Sequence, residues 1–184
     1  EAIHRELLAK SLTVVTNRDR LLPWGDAVND VESLFIGWPG QPHQQFNGVA
    51  QRIMGGTSTF SGQSMTDRMF IEQAQSIIPG SIAKEPDWLV IHLGGTSHSV
   101  SKQYGIPNEV INQLEWTLAL ANERNIPATP IVYGSPYLLE RMEKCAALAH
   151  ALVIAYQDDV RTIDAVADAL TGAGMAGGSL PVSV

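Results

Sequence analysis

Four short apolar runs set the terms for any fold of this sequence: Leu34-Phe35-Ile36, Trp88 to Leu93, Ile131-Val132-Tyr133 and Leu152-Val153-Ile154. Each is continuous rather than alternating, so a strand made from it has two faces to bury, as parallel strands covered on both sides do. Thr57 to Phe60 is a weaker fifth candidate. Helical spacing fills the gaps between the runs. Thr66 can cap a helix that places Met69, Phe70, Gln73, Ala74 and Ile77 on one side, with Pro79-Gly80 as its stop. Pro107 stands where a first helical residue belongs, and Val110, Ile111, Leu114, Leu118 and Ala121 recur at helical intervals. Asp159 can cap a helix that buries Val160, Ile163, Ala167 and Leu170 and ends at Gly172. His43 to Met54 reads as a further helix through Phe46, Val49, Ala50 and Ile53, and Ile3, Leu7 and Leu8 give an opening helix one apolar stripe.

Alternating strands and helices predict right-handed crossovers and an α/β fold. The expected architecture is a three-layer αβα sandwich whose mostly parallel, Rossmann- or flavodoxin-like sheet has five to six strands. Neither a linker nor an internal repeat interrupts residues 1–184, which are expected to form a single domain. A chain of this length can bury roughly 70% of its unfolded surface. The formal charge of -7, with its Lys and Arg scattered, weighs against nucleic acid or an anionic membrane as the main partner. No apolar run reaches the roughly 18 to 20 residues that span a bilayer. Cys145 is the single cysteine, so neither an intrachain disulfide nor a thiolate metal cluster can form. That suits the cytosol, or export of a protein that needs no disulfide. The chain starts at Glu1 and enters a helix at once, which reads as a segment of a longer protein.

Ligands of open parallel sheets bind outside the carboxyl ends of the strands, so the loops that leave the strands carry the candidate chemistry. These are Gly37-Trp38-Pro39-Gly40, Gly94-Gly95-Thr96-Ser97-His98-Ser99, Gly134-Ser135-Pro136-Tyr137 and Gln157-Asp158-Asp159. None has the spacing of a phosphate-binding glycine loop. Ser97 or Ser99 beside His98 lacks the strained elbow of a serine hydrolase, and neighbours in sequence seldom face each other as nucleophile and base. The five histidines have no metal-ligand spacing, and no cofactor is called for. His92, inside an apolar run, reads as a hydrogen-bonded core residue, whereas His98 has a loop position suited to function. Trp88 and Trp116 fall in apolar patterns and read as core. Trp38 and Tyr137, just beyond strands, are placed to stack on a sugar or pack on a neighbour.

Several segments together resemble one known domain. They are Ser11 to Asn17 with Leu21-Leu22-Pro23, the Leu170 to Val182 ending, Asp87 to Gly95, Pro130 to Tyr137, Leu152 to Tyr156, and Ala165 to Leu170. In order and spacing they are similar to the C-terminal α/β domain of family 3 glycoside hydrolases. The resemblance implies retaining hydrolysis of terminal β-linked sugars. It places the nucleophilic Asp in an N-terminal catalytic barrel of about 250 residues that this chain does not contain. In the β-glucosidase-like branch a Glu acid/base comes from a loop of this domain, but residues 94–108 hold no Asp or Glu. Glu109, which follows, looks like a first-turn helix residue favoured by the helix dipole. The departure points to the bacterial β-N-acetylglucosaminidase-like branch, where the barrel supplies a His–Asp pair. The implied role is an accessory domain with no catalytic residue and no metal, with the barrel as its partner and a β-linked amino-sugar or glucoside at the interface. Trp38, Thr96, Ser97, His98 and Tyr137 are the residues expected to face substrate or barrel. Two other readings stay open: a self-contained sugar-binding module, and a flavodoxin-like domain for a nucleotide or flavin.

Overall fold

The five runs and Thr13–Asn17 assemble into one six-stranded sheet. A computed structural model of the chain describes residues 2–24, 28–37, 57–61, 75–76, 78–94, 100–157 and 159–180. The strands are β1 (Thr13–Asn17), β2 (Val31–Gly37), β3 (Thr57–Ser61), β4 (Trp88–Leu93), β5 (Ala128–Val132) and β6 (Ala151–Ile154). Their spatial order is β1-β6-β5-β4-β2-β3. β3, β2, β4, β5 and β6 pair in parallel, and β1 adds to β6 antiparallel with an irregularity between Val14 and Thr16. The described helices are α1 (Ala2–Ser11), α2 (Asn108–Glu123), α3 (Glu143–Leu148) and α4 (Val160–Thr171), besides helical residues at 75–76 and 78–82.

Strand alternation divides the buried side chains between two layers. Leu89, Ile91 and Leu93 of β4 join Leu34, Val132, Leu152 and Ile154 under α2 and α3, where Val110, Ile111, Leu114, Leu118 and Ala121 form the covering stripe. Trp88 and Val90 turn the other way with Ile131, Tyr133 and Val153, and meet Leu12, Ile163, Val166 and Leu170 of the α1–α4 layer. Trp88 also donates its indole N–H to Thr129 Oγ1 at 3.0 Å and packs tilted against Trp24 at 5.6 Å between ring centroids. The α/β sandwich expected from the runs is therefore observed, with helices on both faces of the sheet.

Local chemistry fixes both ends of α4. Asp159 accepts the N–H groups of Arg161 and Thr162 at 2.8 and 2.9 Å, which pairs donors that a first turn otherwise leaves open. Gly172 closes α4 with φ 85°, in the left-handed region that favours glycine. Four expectations need correction. Pro107 is the residue before α2, in extended conformation, and the helix begins at Asn108. Pro79 and Gly80 lie within helical residues rather than ending them, because the Pro79 carbonyl still accepts the Ala83 N–H at 2.8 Å. Leu7 is 60% exposed, so only Leu8 of the two carries the α1 stripe into the core. Trp116 is 39% exposed; it sits two residues from both Leu114 and Leu118, on the opposite side of α2 from the core. The Thr66 start of a helix and the helix read over His43 to Met54 lie outside the described residues.

Candidate functional site

β3 and β4 flank β2 on opposite sides, so the chain's direction of travel across the sheet reverses there. In open parallel sheets such a reversal leaves a crevice outside the carboxyl ends of the two diverging strands. The loops that follow β2 and β4 in sequence carry Trp38 and Thr96-Ser97-His98; all four residues lie outside the described set. What the topology supports is the adjacency of β2, β4 and β5, the strands after which these residues and Tyr137 come.

Tyr137 is described, on a short 3-10 turn, Pro136–Arg141, just beyond β5. It is 43% exposed, and its ring lies nearly parallel to that of Tyr104, 18° between planes and 6.3 Å between centroids. Tyr104 belongs to a second 3-10 turn, Val100–Gly105, beyond β4, and packs partly against the α2 layer. Gln103, Tyr104 and Gly105 have φ of 52°, 56° and 79°, three consecutive left-handed residues of which only the last is glycine. A non-glycine residue held in such a conformation costs on the order of 1 kcal/mol or more, so surrounding contacts must hold it there.

Arg141 makes those contacts. Its Nη1 donates to the Gln103 and Ile106 carbonyls at 2.6 and 2.9 Å, and its Nη2 to Asn108 Oδ1 at 2.8 Å and Gln103 Oε1 at 3.4 Å. One planar guanidinium thus ties the β4 turn, the start of α2 and the β5 turn together, a geometry that a lysine ammonium cannot reproduce. Neither Tyr104 nor Arg141 stands out in sequence. Gly105 is the one local sign of a left-handed backbone, and the Arg141 partners lie 33 to 38 residues away.

Beneath this edge, His92 Nδ1 and the Tyr133 hydroxyl are 2.9 Å apart, with rings stacked at 21°. Both residues are buried in the α1–α4 layer's side of the sheet. Burial lowers the His92 pKa to about 3 and raises that of Tyr133 well above its usual value, so both are neutral near pH 7. The pair is a hydrogen-bonded core element, as expected for His92, and has no exposed surface from which to exchange protons with a ligand.

A separate open pocket of about 430 Å³ lies at the β6–β1 corner, lined by Lys10, Ser11, Tyr156, Gly177, Gly178 and Ser179. Tyr156, with φ 60°, sets its hydroxyl 3.0 Å from Thr13 Oγ1, while Lys10 is committed to Glu6 at 2.7 Å. The pocket's lining has hydroxyls and one paired ammonium but no carboxylate. Along the described carboxyl edge the acidic residues are few: 100–108 hold none, Asp159 caps α4, and Glu140 is exposed on its turn. Among the described residues no group of three or more His, Cys, Asp or Glu could hold a metal ion, and no helix is long and apolar enough to cross a membrane.

No protein-family model matches the sequence, and no curated protein matches it. Solved structures do. A fungal multi-domain family 3 β-N-acetylglucosaminidase, described as having a GCN5-related glucosamine N-acetyltransferase region, is similar over 100% of this chain and 19% of its own, at 19% identity and TM-score 0.63. A β-glucosidase from Listeria innocua in complex with glucose is similar over 96% of this chain and 26% of its own, at 15% identity and TM-score 0.65. A family 3 β-N-acetylglucosaminidase from Paenibacillus sp. strain FPU-7 is similar over 100% of this chain and 33% of its own, at 12% identity and TM-score 0.63. The chain thus spans between about a fifth and a third of the length of these structures, and at such identities the likeness is one of fold. The chain has the fold of a unit that recurs within larger glycosidases, two of them described as family 3 glycoside hydrolases.

Proposed function

We propose that residues 1–184 are a single accessory domain of a family 3 glycoside hydrolase acting on terminal β-linked sugars, packed on an N-terminal catalytic barrel and inactive alone. The observation that carries this reading is the asymmetry of coverage: 96 to 100% of this chain corresponds to only 19 to 33% of three longer glycosidase structures. A retaining glycosidase needs two carboxyl groups about 5 Å apart across the scissile bond. The acidic inventory of the carboxyl edge supports leaving that pair to another part of the protein.

Within the family, the β-N-acetylglucosaminidase-like branch is favoured. Residues 94–108, where the other branch would place its Glu acid/base, contain no acid. Trp38, Thr96, Ser97, His98 and Tyr137 then form the rim that faces barrel or substrate. Purified chain incubated with aryl N-acetyl-β-glucosaminide and aryl β-glucoside is expected to release no aryl alcohol above the blank. Turnover that survives repurification would end the accessory-domain reading.

A further inference from the structure

We infer that Tyr137, backed by Tyr104 and locked by Arg141, is a stacking ledge for one β-configured pyranose ring at the carboxyl edge of the sheet. This rests on the glycosidase reading above for the class of ligand, and on the geometry of this chain for the site. Tyr137 stands on its turn beyond β5 with 43% of its surface exposed. The Tyr104 ring lies nearly parallel beside it, at 18° between planes and 6.3 Å between centroids. A tyrosine suits a sugar, having an apolar face for ring C–H groups and a hydroxyl at its tip for polar contact. A β-gluco-configured pyranose with equatorial substituents presents a flat patch of axial C–H groups that matches such a face.

The ledge is also rigid, and its rigidity is maintained against strain. Gln103 and Tyr104 are held left-handed, at φ 52° and 56°, where neither residue rests by itself. Four contacts from the Arg141 guanidinium hold that turn, two of them to backbone carbonyls. A surface ring fixed before the ligand arrives loses little freedom on binding, which is where a weak stacking contact gains its affinity. Strained non-glycine backbone beside an exposed aromatic pair, at the edge where parallel sheets bind ligands, is the combination that singles out this place. Arg141 acts through the two tyrosines and is a positioning residue.

Saturation-transfer NMR of the purified chain with methyl N-acetyl-β-glucosaminide tests the ledge. Native chain is expected to transfer saturation to the axial ring protons of the sugar. Tyr137→Phe keeps the signal, whereas Tyr137→Ala weakens binding about three- to tenfold, the range of an aromatic contact. Arg141→Lys retains the charge but loses the fork, and is expected to reduce the signal while far-UV circular dichroism stays native. Absence of transfer to native chain, an undiminished signal in Tyr137→Ala, or full signal in Arg141→Lys overturns the inference. Aryl-glycoside turnover is read separately. No turnover together with no transfer rejects the ledge and leaves the accessory-domain reading in place; turnover together with transfer does the reverse.

Discussion

Under the carboxyl edge, the His92 imidazole and Tyr133 phenol meet at 2.9 Å in a layer shared with Trp88, Val90 and Ile131. An imidazole there cannot carry charge cheaply, and burial brings its pKa from the ordinary 6.5 to about 3. Between those two values the unfolded chain binds a proton that the folded chain refuses. Stability is therefore expected to fall as pH drops from about 6.5 toward about 3, with a slope approaching about 1.4 kcal/mol per pH unit from this residue. The pKa of His150, also lowered by burial and by the neighbouring Arg18, adds a contribution of the same sign. Urea midpoints of native chain and His92→Gln at about pH 7 and about pH 5 check this. The substitution should flatten the loss of stability on acidification, and an equal loss in both proteins would contradict the assignment. The sequence disclosed His92 as core, because a polar residue inside a six-residue run whose other five members are apolar has nowhere else to go. It did not disclose the Tyr133 partner, which lies just past the neighbouring strand β5.

Among the elements, α4 is the one whose limits were written in its own residues. Asp159 accepts two first-turn N–H groups, Gly172 supplies the left-handed end, and Ile163, Ala167 and Leu170 face inward at the expected spacing. Asp159→Ala is expected to cost about 1 kcal/mol. For a domain of this size that lowers Tm by about 2–4 °C, measurable by differential scanning calorimetry. An unchanged Tm would mean that the cap is satisfied by solvent in its absence. Helices without such punctuation are less legible. Pro107 contributes no side-chain cap, so the sequence suggests a start for α2 one residue ahead of the true one, and the six-residue α3 is too short for its periodicity to show. The turn around Gln103 and Tyr104 was illegible for a further reason. Its conformation runs against local preference and is imposed by Arg141 from beyond another strand and helix.

At the level of the whole molecule, the antiparallel β1 covers one edge of the parallel sheet, and the C-terminal segment then crosses the junction between α1 and β1. Ala176 packs with the α1–α4 layer and Leu180 with the α2–α3 layer, so the segment passes around the sheet between them. The Gly177 N–H donates to the Ala9 carbonyl at 3.2 Å and the Gly178 N–H to the Leu12 carbonyl at 2.8 Å. A Cβ on Gly178 would stand 2.6 Å from the Ser11 carbonyl oxygen and 2.7 Å from both the Leu12 oxygen and Thr13 Oγ1. Gly178→Ala must therefore lift the strap, at a cost of about 1–3 kcal/mol. Hydrogen exchange in Thr13 to Asn17 should accelerate with it, and freer strand edges should promote self-association; native exchange rates in the variant would refute the crossing. The sequence alone determined strands β2 to β6, the faces of α2 and α4 and the α/β class, because burial on two faces and helical period are properties of neighbouring residues. Tertiary structure alone decided the antiparallel β1, the strap at its junction with α1, and the Tyr104–Tyr137–Arg141 cluster. Each of these rests on contacts between residues distant in sequence, and no local period or propensity records such contacts.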